Sequence, residues 1–299
     1  MNYACHLLVY LSIYAIVATS LNIIVGYCGL LTLAHAAFFA IGGYAYALAS
    51  LNSGWGFLPA VVIAVAGATI LSLAISLPSW RLKGDFFVMG SLAVQAMIFS
   101  AIYNWADPYA QVGTWANLTN GPFGIAGLPK PAILGIQFDT VCSLAALAVV
   151  LATGCLVLSF LLLASPWGRV LKSMRDDELA ARGLGKNVRL LKVEAFGIAS
   201  GMAAVAGVIY ASYMSYVDPG LASLDQSILF LSMVIVGGAG NFRGPLTGAA
   251  VLLAIPEVLR LFALPGEIAA EARLMVYGVL LVLMMHFRPQ GLAGSYRIE

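Results

Sequence analysis

Charge is the scarcest feature of this 299-residue chain: Asp, Glu, Lys and Arg make up 9% of it, against about 25% in a soluble domain. That composition excludes an ordinary water-soluble globule. Nucleic acid is not an expected partner either, because the net charge of +2 comes from cations gathered in a few loops. Histidine is just as rare. His6, His35 and His286 stand in separate apolar runs without partners at catalytic or metal-ligand spacing, so neither a hydrolytic triad nor a metal centre is indicated. His286 falls at an expected helix end, where a cation meets the helix dipole favourably. The four cysteines, Cys5, Cys28, Cys142 and Cys155, are scattered through apolar segments and read as small buried hydrophobes. A phosphate-binding loop is also missing. Gly185-Lys186-Asn187 has Ala180 where that motif needs its first glycine and Asn where it needs Ser or Thr. No ATPase site, and no cofactor of the chain's own, is therefore expected.

Hydrocarbon fills the space that charge leaves: 62% of the residues are apolar. A membrane span needs about 20 apolar residues, and apolar runs occupy 7–27, 30–51, 57–77, 86–104, 141–164, 193–214, 228–238, 246–264 and 274–287. No basic segment precedes the first run, so a cleavable signal peptide is not expected. In lipid such runs must pair their backbone groups internally. The expected fold is an all-α, polytopic bundle of about nine spans, forming one transmembrane domain over 1–299. Seven of the fifteen Lys and Arg residues lie between Arg169 and Lys192, which places the loop 165–192 on the cytoplasmic side. Alternating the runs from there puts twelve Lys and Arg inside, among them Arg81, Lys83, Arg243, Arg288 and Arg297. Lys130, Arg260 and Arg273 fall outside. The N-terminus is then external and the C-terminus internal.

Two places interrupt this pattern. Only Gly26-Tyr27-Cys28-Gly29 separates the first two runs, which reads as a tight hairpin or as a helix interrupted within the membrane. The seventh run is short and ends in Gly237-Gly238-Ala239-Gly240-Asn241-Phe242-Arg243-Gly244-Pro245, a cytoplasmic turn or non-helical backbone lining a cavity. The loop 105–140, rich in Pro and Gly, is the largest external surface, and it carries a glycosylation sequon at Asn117-Leu118-Thr119. Polar groups deep in spans are costly and face the protein interior or a water path. Asn22, His35 and Gln95 are accordingly candidates for a translocation path, with interhelical hydrogen bonding as the other reading. Gly197 and Gly201, and Gly240, Gly244 and Gly248, have the small-residue spacing of closely packed helices.

The basic loop has a structure of its own. Ser165-Pro166 starts a helix, and Asp176 or Asp177 can cap a second one with Glu178 in its first turn and Gly183 or Gly185 at its end. A piece carrying Leu179, Ala180, Ala181 and Leu184 is too short to stand alone in water. It makes sense as a docking element for another protein, Ala180 and Ala181 giving a face open to close approach, or as an amphipathic helix on lipid headgroups.

Three stretches resemble the permease subunits of branched-chain amino acid ABC importers, of the LivM type. They are LNIIVGYCGLLTLAHAAFFAIGGYAYA at 21–47, the loop and following helix at 165–211 beginning SPWGRVLKSMRDDELAARGLG, and MVIVGGAGNFRGPLTGAAVLLAIPEVLR at 233–260. Tyr277-Gly278, Phe287-Arg288-Pro289-Gln290-Gly291-Leu292 and, in the external loop, Thr119-Asn120-Gly121 extend the likeness. The resemblance implies a multi-pass protein of the bacterial inner membrane that moves branched-chain or related amino acids by alternating access. It also implies partners: a second permease, two cytoplasmic ATPases that bind the ATP, and a periplasmic binding protein. The segment Asp177, Glu178, Leu179, Ala180, Ala181, Leu184 and Gly185 looks like the helix that couples to an ATPase. A stand-alone ion-coupled transporter or channel is the other function class, but it would be expected to carry mid-span acids or bases, and His35 is the one ionisable group clearly there.

Overall fold

The computed structural model describes residues 2–53, 56–77, 81–82, 84–133, 136–261, 266–288 and 290–293. Eleven α-helices follow one another: α1 (Asn2–Asn22), α2 (His35–Ser53), α3 (Phe57–Ser76), α4 (Asp85–Asn104), α5 (Val141–Ala164), α6 (Pro166–Asp176), α7 (Glu178–Gly183), α8 (Val188–Met214), α9 (Leu224–Gly237), α10 (Arg243–Leu261) and α11 (Gly266–Phe287). Local chemistry sets several starts. Thr140, Ser165, Asn187 and Ser223 accept the first free N–H groups of α5, α6, α8 and α9. Among the described residues, five helices are long and apolar enough to cross a membrane: α1 with its extension to Tyr27, α3, α4, α5 and α8. His35–Leu51, Leu224–Gly237 and Met275–Met284 add shorter apolar stretches. The fold is a helical membrane bundle. Lys83, Pro289 and Arg297 lie outside the described residues, as do the side chains of Arg260, Glu267, Glu271 and Arg273.

Helices α1, α2 and α8 form the core. Small residues let α2 and α8 touch backbone to backbone, since a Cβ at Gly207 would collide with the Phe39 carbonyl. The expected close packing is present elsewhere too: Gly201 faces Val65 of α3, and a Cβ at Gly248 would collide with the Met233 carbonyl of α9. The outer faces of α3, α4 and α5 keep Val62, Ile70, Phe86, Met97, Val150 and Leu161 exposed, as suits contact with lipid or another apolar surface.

At one end of the bundle residues 105–133 and 136–140 connect α4 to α5. Strand β1 (Ile125–Ala126) pairs antiparallel with β4 (Tyr216–Val217), and β2 (Ala132–Ile133) pairs with β3 (Ile136–Gln137). Tyr46 donates to the Pro129 carbonyl at 2.5 Å. Two sequence expectations fail here. Asn117 is buried and its amide donates to the Ala110 carbonyl at 3.0 Å, so the sequon is not accessible. Cys5 and Cys142 are not merely small hydrophobes: the first turns of α1 and α5 lie side by side and join them in a disulfide, Cα to Cα 5.2 Å, across 137 positions. Cys28 and Cys155 remain free thiols.

Both chain interruptions are real breaks. α1 continues as a π-helix (Ile23–Tyr27), and residues 28–34 then run without helix, so α2 starts at His35 rather than at the expected position 30. Ser20 and His35 stand within hydrogen-bond distance, so α2 begins inside the bundle at the level of α1's last turn. α9 stops at Gly237 and α10 begins at Arg243, the residues between them largely buried.

Candidate functional site: a coupling arm and buried polar brackets

Helices α6 and α7 form an arm off the end of α5. Asp177 caps α7, its Oδ1 accepting from Leu179 N at 2.8 Å and Ala180 N at 3.0 Å. The expected short helix is present over Glu178–Gly183, and Gly185 follows it with a φ of 75°. Its faces differ from the expected arrangement. Ala181 is 2% exposed and packs into the chain's own core, whereas Leu179 is 70% and Leu184 79% exposed. A pitch of 3.6 residues puts Ala181 on the inner side as soon as Glu178 faces α8. The outward apolar surface is therefore Leu179 and Leu184, with exposed Ala180 beside them.

The arm is fastened by charge. Glu178 Oε2 accepts from Lys192 Nζ of α8 at 3.1 Å, and Lys192's side chain is 4% exposed. Glu178 also pairs with Arg182 one turn on. Arg175, near the end of α6, donates to the Gly26 carbonyl at 2.6 Å, and Lys172 Nζ stands 5.0 Å from the centre of the Tyr27 ring. Cys28 sits beside this junction. Burial pushes its thiol up to about 12, with Lys192 opposing the shift and Glu178 adding to it.

The three buried polar residues occupy two brackets. Asn22 bridges the two chain breaks: its Oδ1 accepts from Gly240 N at 3.0 Å, and its Nδ2 donates to the Asn241 carbonyl at 3.0 Å. A Cβ at Gly26 would collide with both Asn22 and Gly240, so only glycine allows this approach. His35 and Gln95 meet at the start of α2, whose first N–H groups have no partner within the helix. Other elements supply the acceptors, Gln95 Oε1 for Ala37 N at 3.0 Å and Ser227 Oγ for Ala36 N at 3.3 Å, and in the segment just before the helix Ser91 Oγ accepts from Leu33 N at 3.1 Å. Gln95 Nε2 also donates to the Ala222 carbonyl. Ser20 spends its one proton on the Val17 carbonyl, so His35 Nε2–H donates to Ser20 Oγ at 2.8 Å. Asn22, His35 and Gln95 are all fully buried. None of them borders the cavity of about 570 Å³ among Tyr3, His6, Tyr10, Lys130, Tyr213 and Glu257, nor the apolar one of about 520 Å³ between α2, α3 and α4.

Sequence reasoning missed Arg175, Lys192 and Ala181's inward turn. Each depends on a contact between separate elements, 149 positions apart for Arg175 and 14 for Lys192, and only the excess of cations in the loop hinted at the first two. Among the described residues no group of three His, Cys, Asp or Glu is placed to hold a metal ion.

Comparison with known proteins fits this architecture. The family described as "Branched-chain amino acid transport system / permease component" matches residues 3–285. The high-affinity branched-chain amino acid transport system permease protein LivM of Escherichia coli is 31% identical over 95% of this chain and 68% of its own length. LivH of the same organism is 24% identical over 96% and 93%. The autoinducer 2 import system permease protein LsrC of Salmonella paratyphi B is 30% identical over 48% of this chain and 41% of its own length. With a match along nearly the whole helical bundle, the chain belongs to the branched-chain amino acid transport permease family and is a multi-pass inner-membrane permease of an ABC importer.

Proposed function

We propose that this permease translocates branched-chain or related amino acids, paired with a second permease subunit. Two cytoplasmic ATPases bind and hydrolyse the ATP, so the chain itself needs no ATPase site or cofactor, and a periplasmic binding protein delivers the solute. About nine spans place the N-terminus outside and the C-terminus inside. The positive loop supports that orientation, and so does a disulfide at the opposite end of α5, a bond suited to an oxidising exterior. The segment Asp177, Glu178, Leu179, Ala180, Ala181, Leu184 and Gly185 is the ATPase-coupling element. Asp177 caps it, Glu178 and Ala181 fasten it to the bundle, and Leu179, Ala180 and Leu184 enter the partner's groove. Asn22, His35 and Gln95 belong to the translocation path as residues that hold its helix breaks.

One observation carries this reading: a six-residue helix, too short to persist alone, is built rigidly onto the bundle yet leaves two leucines in solvent. Replacing Leu179 and Leu184 together with Glu would put two charges where a groove must desolvate them. Membrane insertion and pairing with the second permease are expected to persist, while ATPase co-purification and uptake are lost together. Unimpaired co-purification of the double variant would show that α7 is not the coupling element. Arg182→Ala serves as the control, because an exposed ion pair contributes about 0–1 kcal/mol.

A further inference from the structure

The π-helical end of α1 is gripped from two sides. From one side the arm reaches it through Arg175, whose Nη1 donates to the Gly26 carbonyl at 2.6 Å, and through Lys172 over Tyr27. That carbonyl belongs to the set that a helix end leaves without an internal partner, and a cation there also complements the negative end of the helix dipole. Arg175 is held for this task. Its side chain is 9% exposed, and Asp176 Oδ1 accepts from its Nε and Nη2 at 3.0 and 2.9 Å. The fit is close: a Cβ at Gly29, itself at a φ of 73°, would stand 2.6 Å from Arg175 Cγ. From the other side Asn22, one residue before the π turn, holds Gly240 and Asn241. Asn241 in turn donates to the Ala293 carbonyl at 2.7 Å, and Leu292 N and Ala293 N return to the end of α9 through the Val236 and Gly237 carbonyls at 2.9 Å each.

A π turn holds one residue more than an α turn, so its hydrogen bonds can shift by one position without the segment unfolding. Such a shift would rotate Gly26 and move the 28–34 break that leads into α2. The two arrangements make Ile23–Tyr27 the bistable element that a coupling contact needs in order to act at a distance. We infer that Arg175 is a positioning residue for transport, transmitting displacement of the α6–α7 arm to the π turn of α1, from which Asn22 passes it to the break between α9 and α10. This rests on the reading of α7 as the ATPase-docking helix.

The test uses the complete importer in liposomes, with both permeases, ATPases and binding protein, and the amino acid that the wild type moves fastest among leucine, isoleucine and valine. Solute moved per ATP hydrolysed is the readout, because a merely structural loss lowers both rates together. Arg175→Ala is expected to assemble and hydrolyse ATP while solute per ATP falls about tenfold, the size of one charge-assisted bond. Arg175→Lys, keeping the cation but not the guanidinium fork, should be intermediate. An unchanged ratio in Arg175→Ala overturns the inference, and so does uptake falling only in proportion to assembled ATPase. Should Arg175→Ala not assemble, a wild-type ratio in Arg175→Lys overturns it. ATPase co-purification left unimpaired by Leu179→Glu with Leu184→Glu would overturn the docking reading instead.

Discussion

The two ends of the bundle are fastened by different chemistry. At the proposed external end the ties are a disulfide between α1 and α5, a backbone ladder between Ile125–Ala126 and Tyr216–Val217, and the Tyr46 bond to the Pro129 carbonyl. At the proposed cytoplasmic end the ties are side chains reaching between segments: Arg175 to Gly26, Lys192 to Glu178, Asn22 to Gly240 and Asn241. A covalent cross-link and a backbone ladder leave little room for a second arrangement. Single ion pairs and amide brackets beside a π-helix can be remade in another register. On the proposed function, in which a soluble binding protein meets one face and ATPases the other, the importer has use for this asymmetry.

The contrast breaks most sharply at Lys192. Removing one partner of a buried pair costs about 3–5 kcal/mol; Glu178 retains Arg182 and some contact with water, so about 2–3 kcal/mol is expected for Lys192→Ala. The purified protein should melt at lower temperature, and protease should cut within 165–187 well before the bundle unfolds. An arm as resistant to protease as the wild type's would mean that the ion pair is not what holds it.

A smaller effect is expected at the other end. Cys5→Ser with Cys142→Ser should cost about 1–2 kcal/mol, below the usual range for a long disulfide loop, because membrane helices persist in the unfolded state and shorten the freed chain. Uptake should be little changed. In right-side-out vesicles, reduction followed by a membrane-impermeant maleimide should label both cysteines of the wild-type protein. Labelling confined to inverted vesicles would reverse the proposed orientation.

Much of the fold was legible because lipid simplifies the rules. Apolar runs marked the helices, and Ser165-Pro166 and Asp177 marked two of their starts, whereas the Asn187 cap of α8 was not seen. The breaks at Gly26–Gly29 and Gly237–Pro245 were visible as glycine clusters, although the seven non-helical residues before α2 were not, since Leu30, Leu31 and Leu33 look like span. Facing was harder. Ala180 and Ala181 are indistinguishable in sequence, and only the tether from Glu178 to Lys192 decides that the second turns inward. Partners across long separations were beyond reach: Cys142 lies 137 positions from Cys5, and Arg175 lies 149 from Gly26. Asn117 gave a false signal because a sequon says nothing about whether its amide is already bonded inside a loop.

The smallest expected effect sharpens the contrast without altering transport. Cys28 stands where the arm meets α1, and burial raises its thiol from an ordinary 9.0 to about 12. The thiolate is the reactive form. Far less of Cys28 is thiolate at neutral pH than of an ordinary thiol, so alkylation in the resting complex should be slower by about thirtyfold to a hundredfold, the greater nucleophilicity of a more basic thiolate offsetting part of the loss. The pH profile separates this cause from simple shielding. An ordinary thiol stops gaining reactivity once pH passes its own value, and its rate levels off above about pH 9.5. Cys28 should still gain about tenfold per unit there, because its thiolate fraction keeps rising until pH approaches the raised value. A membrane-permeant maleimide, with Cys155→Ser and the disulfide intact, makes Cys28 the only thiol that reports. A rate that is both fast and level between pH 9.5 and 10.5 would mean that the junction between arm and π-helix stands open to water at rest. The proposed cytoplasmic end would then not be a closed, remakeable joint.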